Sequence, residues 1–111
     1  MKEAIQFDDF MQLDIALGTI VAVAVVPETD KLLKLTVEVG EEAPRQIISG
    51  IRAYFADPQE LVGVQCPFLL NIAPREIRGL VSHGMILAAD HEALFSLLRA
   101  TPPLPNGTRV H

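Results

Sequence analysis

The sequence predicts an all-β fold, a small five-stranded barrel with short helices and a C-terminal extension, and three observations predict it. Residues 33–39 alternate apolar and polar one by one, the period of a strand with one wet face. Further short runs rich in Ile, Val and Leu recur along the chain, set off by Gly, Pro and Asp where it must turn. Helix starts are marked at two places, around residues 7–11 and 57–62, and both are short.

The elements follow in order. Residues 7–11, Phe-Asp-Asp-Phe-Met, read as a short helix with an aspartate as N-cap. Residues 15–26 read as one long bent strand, with Gly18 marking a bulge or bend. Residues 27–30 turn the chain into the alternating strand, and residues 40–44 turn it into a third, Arg45–Ser49, ended by Gly50. Asp57 is placed to cap a helix that has Pro58 in its first position, Glu60 able to reach back, Leu61 and Val62 inward and Gly63 as its stop. Residues 64–72 form the fourth strand, where Pro67 marks an edge or a bulge, and residues 85–89 the fifth. Residues 94–98 are a candidate sixth, before a proline-rich tail. Five strands with a small helix between the third and fourth is the order of an OB-fold, although a small sandwich would give a similar pattern.

Composition narrows the function classes. Half of the 111 residues are hydrophobic and 21% are charged, a globular rather than a disordered profile, and the length suits one domain. The most apolar stretch, residues 15–27, is interrupted by Gly18 and Thr19 and falls short of the roughly 20 residues of a helical membrane span. No signal peptide is read at the N-terminus. Cys66 is the only cysteine and has no partner for an internal disulfide, so a reducing, cytoplasmic setting is expected. The net charge of −5 opposes a generic nucleic-acid binder, so any RNA contact must use a local basic patch.

Catalysis finds little support in the residues. His83, His91 and His111 lack Cys or His partners at metal-ligand spacing, and no glycine-rich phosphate loop follows a strand, so no cofactor or metal is expected. Cys66 lies in an apolar run and is read as a buried, inert thiol.

Six stretches carry a resemblance: Asp8-Asp9-Phe10 with Leu13-Asp14-Ile15; residues 30–35; residues 45–51; Glu60-Leu61-Val62-Gly63; Asn71-Ile72-Ala73-Pro74-Arg75 with Ile77-Arg78-Gly79; and residues 82–89, starting Ser82-His83-Gly84-Met85. Together and in this order they resemble the tRNA-binding domain family, which includes free-standing bacterial homodimers, the C-terminal appendix of many methionyl-tRNA synthetases and the endothelial-monocyte-activating polypeptide domain. The tail, with Pro105, Gly107 and Val110, looks like the end of the free-standing members. The resemblance implies an OB-fold over residues 1–111, with a barrel core from about 8 to 90 and a C-terminal dimerisation extension from about 91 to 111. It also implies non-catalytic recognition of tRNA by shape, not by anticodon. The chain departs from the family pattern where Ala16, Thr19 and Glu76 replace basic residues that the family often carries, and the position of His83 is often Gln. These changes are expected to weaken RNA binding.

The residues so assigned to RNA are Lys31, Lys34, Asn71, Arg75, Arg78, Ser82 and Met85. The guanidiniums of Arg75 and Arg78 can hold phosphates bidentately; the bland alternative is a solvated loop with Glu76 paired to one of them. Lys31 and Lys34 flank or lie on the second strand, where OB-folds commonly receive nucleic acid, or are ordinary surface lysines. Asn71 can read a base edge or brace its own loop. Ser82 can donate to phosphate or sugar, while Met85 can pack on a base or belong to the core. Tyr54 and Phe55 offer stacking faces, with Phe55 read as core. Leu94, Phe95, Leu97 and Leu98 form an apolar group beyond the fifth strand, which predicts a homodimer. Two rival roles remain: an export-type chaperone that binds unfolded polypeptide, implied by a sister group with the same fold, and an adaptor that docks an aminoacyl-tRNA synthetase.

Overall fold

A computed structural model describes all 111 residues, Met1–His111. Its strands are β1 (Ile15–Val25), β2 (Leu33–Glu38), β3 (Arg45–Ser49), β4 (Gln65–Leu69), β5 (Arg75–Ile77), β6 (Leu80–Ser82), β7 (Met85–Ile86), β8 (Ala88–His91) and β9 (Leu94–Leu97). A four-residue helix, α1 (Phe7–Phe10), precedes them, and two 3-10 turns, Arg52–Tyr54 and Pro58–Leu61, join β3 to β4. Five strands form one antiparallel sheet in the order β3-β2-β1-β4-β7, which curls into a nearly closed barrel of the OB type.

The alternation in β2 puts Leu33, Leu35, Val37 and, just beyond, Val39 inside, while Lys34, Thr36 and Glu38 face outward. Ile20 and Val23 of β1, Ile47 of β3, Cys66 and Phe68 of β4, Ile86 of β7 and Leu61 of the second 3-10 turn complete the core. Each large apolar side chain fully withdrawn from water here contributes about 1.5–3 kcal/mol. Ile48 is also buried but lies outside this cluster, because β3 is covered on its outer face by the β5–β6 hairpin.

β1 serves two neighbours in succession. Residues Ile15 to Thr19 pair with β4, and Thr19 to Val25 pair with β2. The register slips between Ile20 and Ala22, so the bulge is at Val21 and not at Gly18. Gly18 is required for another reason: a Cβ there would lie 2.8 Å from the Cγ1 atoms of Val37 and Val39. On the side of β1 that β2 leaves open, the tail takes over. The N–H of Leu17 donates to the Thr108 carbonyl at 2.9 Å, Gly107 donates to Leu17 at 2.8 Å and Val110 to Ile15 at 2.9 Å. An Arg109–Asp14 ion pair, and Gln65 bonded through its amide to Leu104 and Asn106, fasten the same segment.

Several sequence expectations are corrected. The cap of α1 is Gln6, whose N–H donates to the Asp9 carboxylate at 3.0 Å, so the aspartate acts from the third helical position. Asp57 caps as expected, its carboxylate accepting from the Gln59 N–H at 3.1 Å, but the turn is 3-10 and Val62 points to solvent. Pro67 sits in an inner strand, between β1 and β7. Its β1 neighbour, Leu17, bonds the tail instead, so the missing proline donor removes no bond from the β1–β4 ladder. The fourth strand ends at Leu69, one step before the Leu70 N–H makes a last in-register bond to the Asp14 carbonyl at 2.8 Å. The fifth is split: β7 belongs to the barrel, whereas β8 and β9 form a separate hairpin. That hairpin lays Phe95 and Leu97 on the core, with the Phe95 ring stacked on Tyr54 at 4.3 Å and edge-on to Phe55 at 5.7 Å.

Burial raises the Cys66 thiol from its ordinary 9.0 to about 11, against a small opposing pull from the Arg99 charge. The unfolded chain therefore loses this proton first as pH rises, so the contribution is complete below pH 9 and is lost toward pH 11. Urea denaturation at pH 8 and at pH 10.5 should show a drop in stability that is smaller in Cys66→Ala; equal drops in the two proteins would refute the buried thiol as its source.

Candidate nucleic-acid interface

The barrel topology presents two loops at one end. One joins β1 to β2 across residues 26–32. The other is the long connection from β4 to β7, which contains the β5–β6 hairpin. Sequence alone did not reveal this hairpin. Its two turn residues both have positive φ, Arg78 at 54° and Gly79 at 80°, the conformation of the two-residue connections whose twist suits a hairpin. Asn, Asp or Gly normally fills the first of these positions. Arginine there stores strain on the order of 1–2 kcal/mol and carries a guanidinium to the hairpin tip.

Lys31 and Arg78 line one open depression of about 650 Å³, together with Glu28, Thr29 and Asp30. The two loops therefore meet there. Beside it, Lys34 lines a groove of about 300 Å³ with Val25 and Leu80. A small cleft on the other side of the hairpin is bordered by Arg75, Ile77 and Met85 over Ile48. Four of the predicted residues, Lys31, Lys34, Arg75 and Arg78, thus ring the hairpin. None of them takes part in an ion pair; the two that exist are Arg45–Glu41 and Arg109–Asp14. Glu76 alternates with Arg75 and Ile77 along β5 and is not bonded to either arginine. Four cations in no ion pair therefore gather around one feature of an acidic chain, with Glu28, Asp30 and Glu76 set among them.

The remaining predicted residues divide. Met85 is exposed and borders the Arg75 cleft rather than filling the core. Asn71 braces its loop: its Oδ1 accepts the Asp14 N–H at 2.8 Å and its Nδ2 donates to the Gln12 carbonyl at 2.7 Å. Ser82 is buried, accepting the Ile48 N–H at 2.9 Å and donating to the Gly84 carbonyl at 3.0 Å, so its hydroxyl is committed to the barrel and not to a ligand. Tyr54 keeps one ring face at most, because Phe95 covers the other.

The three departures from the family pattern are also relocated. Ala16 is fully buried in the core, and the Thr19 hydroxyl donates to Asn106 at 2.7 Å beneath the tail. Of the three, Glu76 alone lies on the hairpin beside the cations. Two basic residues that the sequence left unassigned hold structure around the patch. Arg45 binds the Leu70 and His83 carbonyls at 2.7 and 3.0 Å while Glu41 grips it bidentately, which lowers the Glu41 carboxyl and raises the guanidinium. Arg52 donates to the Thr29 carbonyl. Nothing in the spacing marks either one, since the (i, i+4) rule for ion pairs holds on a helix and Glu41 lies in a turn before β3.

No three His, Cys, Asp or Glu side chains are grouped to hold a metal, and no helix is long and apolar enough to cross a membrane.

Comparison with known proteins agrees with this geometry. Residues 15–109 match the family model described as "Putative tRNA binding domain". The chain is 48% identical over 91 residues to a methionine–tRNA ligase of Parabacteroides distasonis, covering 82% of this chain and 13% of that enzyme. It is 43% identical over 114 residues to the methionine–tRNA ligase of Methanococcoides burtonii, covering 99% of this chain and 16% of that enzyme. The chain thus spans only a small part of these relatives. Among solved structures, a MetRS-related protein from Pyrococcus horikoshii superposes with a TM-score of 0.91 at 31% identity, covering 99% of this chain and all of that one. The chaperone CsaA from Bacillus anthracis superposes with a TM-score of 0.86 at 26% identity, covering 98% and 100%. With the family model spanning almost the whole barrel and its tail, the chain belongs to the tRNA-binding domain family.

Proposed function

We propose that this chain is a non-catalytic RNA-binding module, 1–111, that takes tRNA by the shape of its backbone. The observation that carries the reading is the set Lys31, Lys34, Arg75 and Arg78, unpaired and gathered where the β1–β2 loop meets the β5–β6 hairpin. Those are the two loops through which OB-folds receive oligonucleotides. No aromatic ring lines the three concavities, so phosphate contacts rather than base stacking supply the attraction. Recognition through phosphates follows the fold of the RNA and is blind to its anticodon.

Four cations per chain is a small set, so a homodimer belongs to the same reading. Leu94 and Leu98 stay exposed while Phe95 and Leu97 are packed down, and α1 buries none of its residues, leaving Phe7 and Met11 in solvent. A two-fold contact through these surfaces would cover them and double the basic set. We place the protein in a reducing cytoplasm, where its single thiol needs no partner. Service to an aminoacyl-tRNA synthetase is consistent with relatives that carry such a segment within a methionine–tRNA ligase. A second reading, binding of unfolded polypeptide, draws on the likeness to CsaA and on the apolar groove of Val25 and Leu80 beside Lys34.

Three measurements test these proposals. Affinity for bulk tRNA should fall as salt rises, the logarithms related with a slope of roughly 0.7–0.9 per phosphate neutralised. Flat affinity between low and physiological salt, with tight binding of an unfolded polypeptide, would favour the second reading. Arg78→Ala should weaken tRNA binding by about 1–3 kcal/mol, and Arg78→Gly should do the same while stabilising the fold through relief of its positive φ. Wild-type affinity in both variants would remove Arg78 from the interface. Light scattering at micromolar concentration should return the mass of a dimer; a monomer there would end the dimer proposal.

A further inference from the structure

Arg52 stands outside the basic patch, in the 3-10 turn that follows β3, yet it reaches the loop that carries Lys31. Its main-chain N–H donates to the Lys31 carbonyl at 3.2 Å, and its guanidinium Nη1 donates to the Thr29 carbonyl. One residue thus holds the carbonyls on both sides of Asp30. Within the loop, the Lys31 N–H donates to Thr29 Oγ1 at 3.1 Å, and the loop base is closed by Val26 N–H to the Leu32 carbonyl at 3.3 Å. The two bonds of Arg52 are the only hydrogen bonds that tie residues 28–31 to a segment outside the loop.

We propose that Arg52 is a positioning residue that fixes Lys31 for phosphate contact across the depression from Arg78; the proposal rests on the RNA-binding reading above. The guanidinium is half-buried and in no ion pair, and its recorded acceptor is a loop carbonyl. A lysine on a free surface loop loses backbone freedom when it binds, and that loss subtracts from affinity. Arg52 orders the loop beforehand. Its charge also adds to the positive field behind Lys31 without touching the ligand.

The test combines hydrogen exchange in the free protein with tRNA titrations at fixed low salt on wild type, Arg52→Met, Arg52→Lys, Lys31→Met and the double Met variant. Arg52→Met should speed amide exchange at Lys31 and Leu32 and weaken tRNA binding about threefold to tenfold, the scale of one net hydrogen bond. In the Lys31→Met background the same change should have little further effect, because residues that act through one another are not additive. Arg52→Lys should recover part of the affinity, since an ammonium can donate to the same carbonyl. If Arg52→Met does not fold, Arg52→Gln, whose shorter side chain does not span the same reach to the Thr29 carbonyl, should give the same loss and the same coupling to Lys31. Losses that simply multiply in the double variant would make Arg52 a direct phosphate ligand and overturn the positioning role. Unchanged exchange would overturn it as well. Wild type that fails to bind tRNA at all would instead sink the RNA-binding reading, and this proposal with it.

Discussion

The structure depends most on how the barrel closes between β3 and the chain leading into β7. No backbone ladder joins them. A single main-chain bond, His83 to Gln46 at 2.9 Å, is supplemented by side chains. The Ser82 hydroxyl takes the Ile48 N–H, the Gln46 amide donates to the Val81 carbonyl and the Arg45 guanidinium spans the Leu70 and His83 carbonyls. A buried backbone group left without a partner costs about 1–3 kcal/mol, so Ser82, which satisfies the buried Ile48 N–H, offsets such a penalty in full, and Arg45 in part at the half-buried Leu70 carbonyl, while the bonds to Val81 and His83 are exposed. The arrangement leaves no buried side-chain polar atom unsatisfied.

Closure by side chains has a functional consequence. Because β6 is not tied into the ladder of β3, it is free to pair with β5 as a hairpin lying over Ile48. The hairpin tip then projects Arg78 toward the loop of Lys31. Ser82 and Asn71 belong to the scaffold for the same reason. They occur within the motif that resembles the family, but their hydrogen bonds all go to the chain's own backbone. The motif is therefore partly a recipe for building the hairpin and partly the charges that the hairpin displays.

Legibility followed the range of the interactions. Strands β1 to β4 were readable because period-2 burial and turn residues are local signals, and β2 shows the alternation without exception. The β5–β6 hairpin was not, since three-residue strands with an arginine in the turn lack the usual Asn-Gly mark. Gly18 was noticed for the right residue and the wrong reason: its neighbours Val37 and Val39 are distant in sequence, and close approach leaves no local trace. The charges of the patch were found by likeness to a family, but their freedom from ion pairs was a fact of three-dimensional placement. The positions of Ala16 and Thr19 were illegible for that reason too: one lies in the core and the other beneath the tail, so neither stands on the hairpin.

The net charge of −5 then takes on a different meaning. Exposed charges more than about 10 Å apart are largely screened at ordinary salt, so the net charge of the whole chain says less about a local contact than the groups within that range do. Around Lys31 and Arg78 those groups include Glu28 and Asp30, which line the same depression, and Glu76 on β5 of the same hairpin. Those three carboxylates lower the gain from each cation and make the attraction conditional on geometry, since a phosphate displaced by a few ångströms meets an acid instead of a base. On the proposed RNA-binding role, an acidic protein with a small, oriented cationic tip would discriminate against loose polyanion binding more sharply than a basic one. On that role placement matters more than the number of charges, which would give the hydrogen bonds that order the β1–β2 loop and the fixed turn of Arg78 as direct a bearing on binding as the charges themselves.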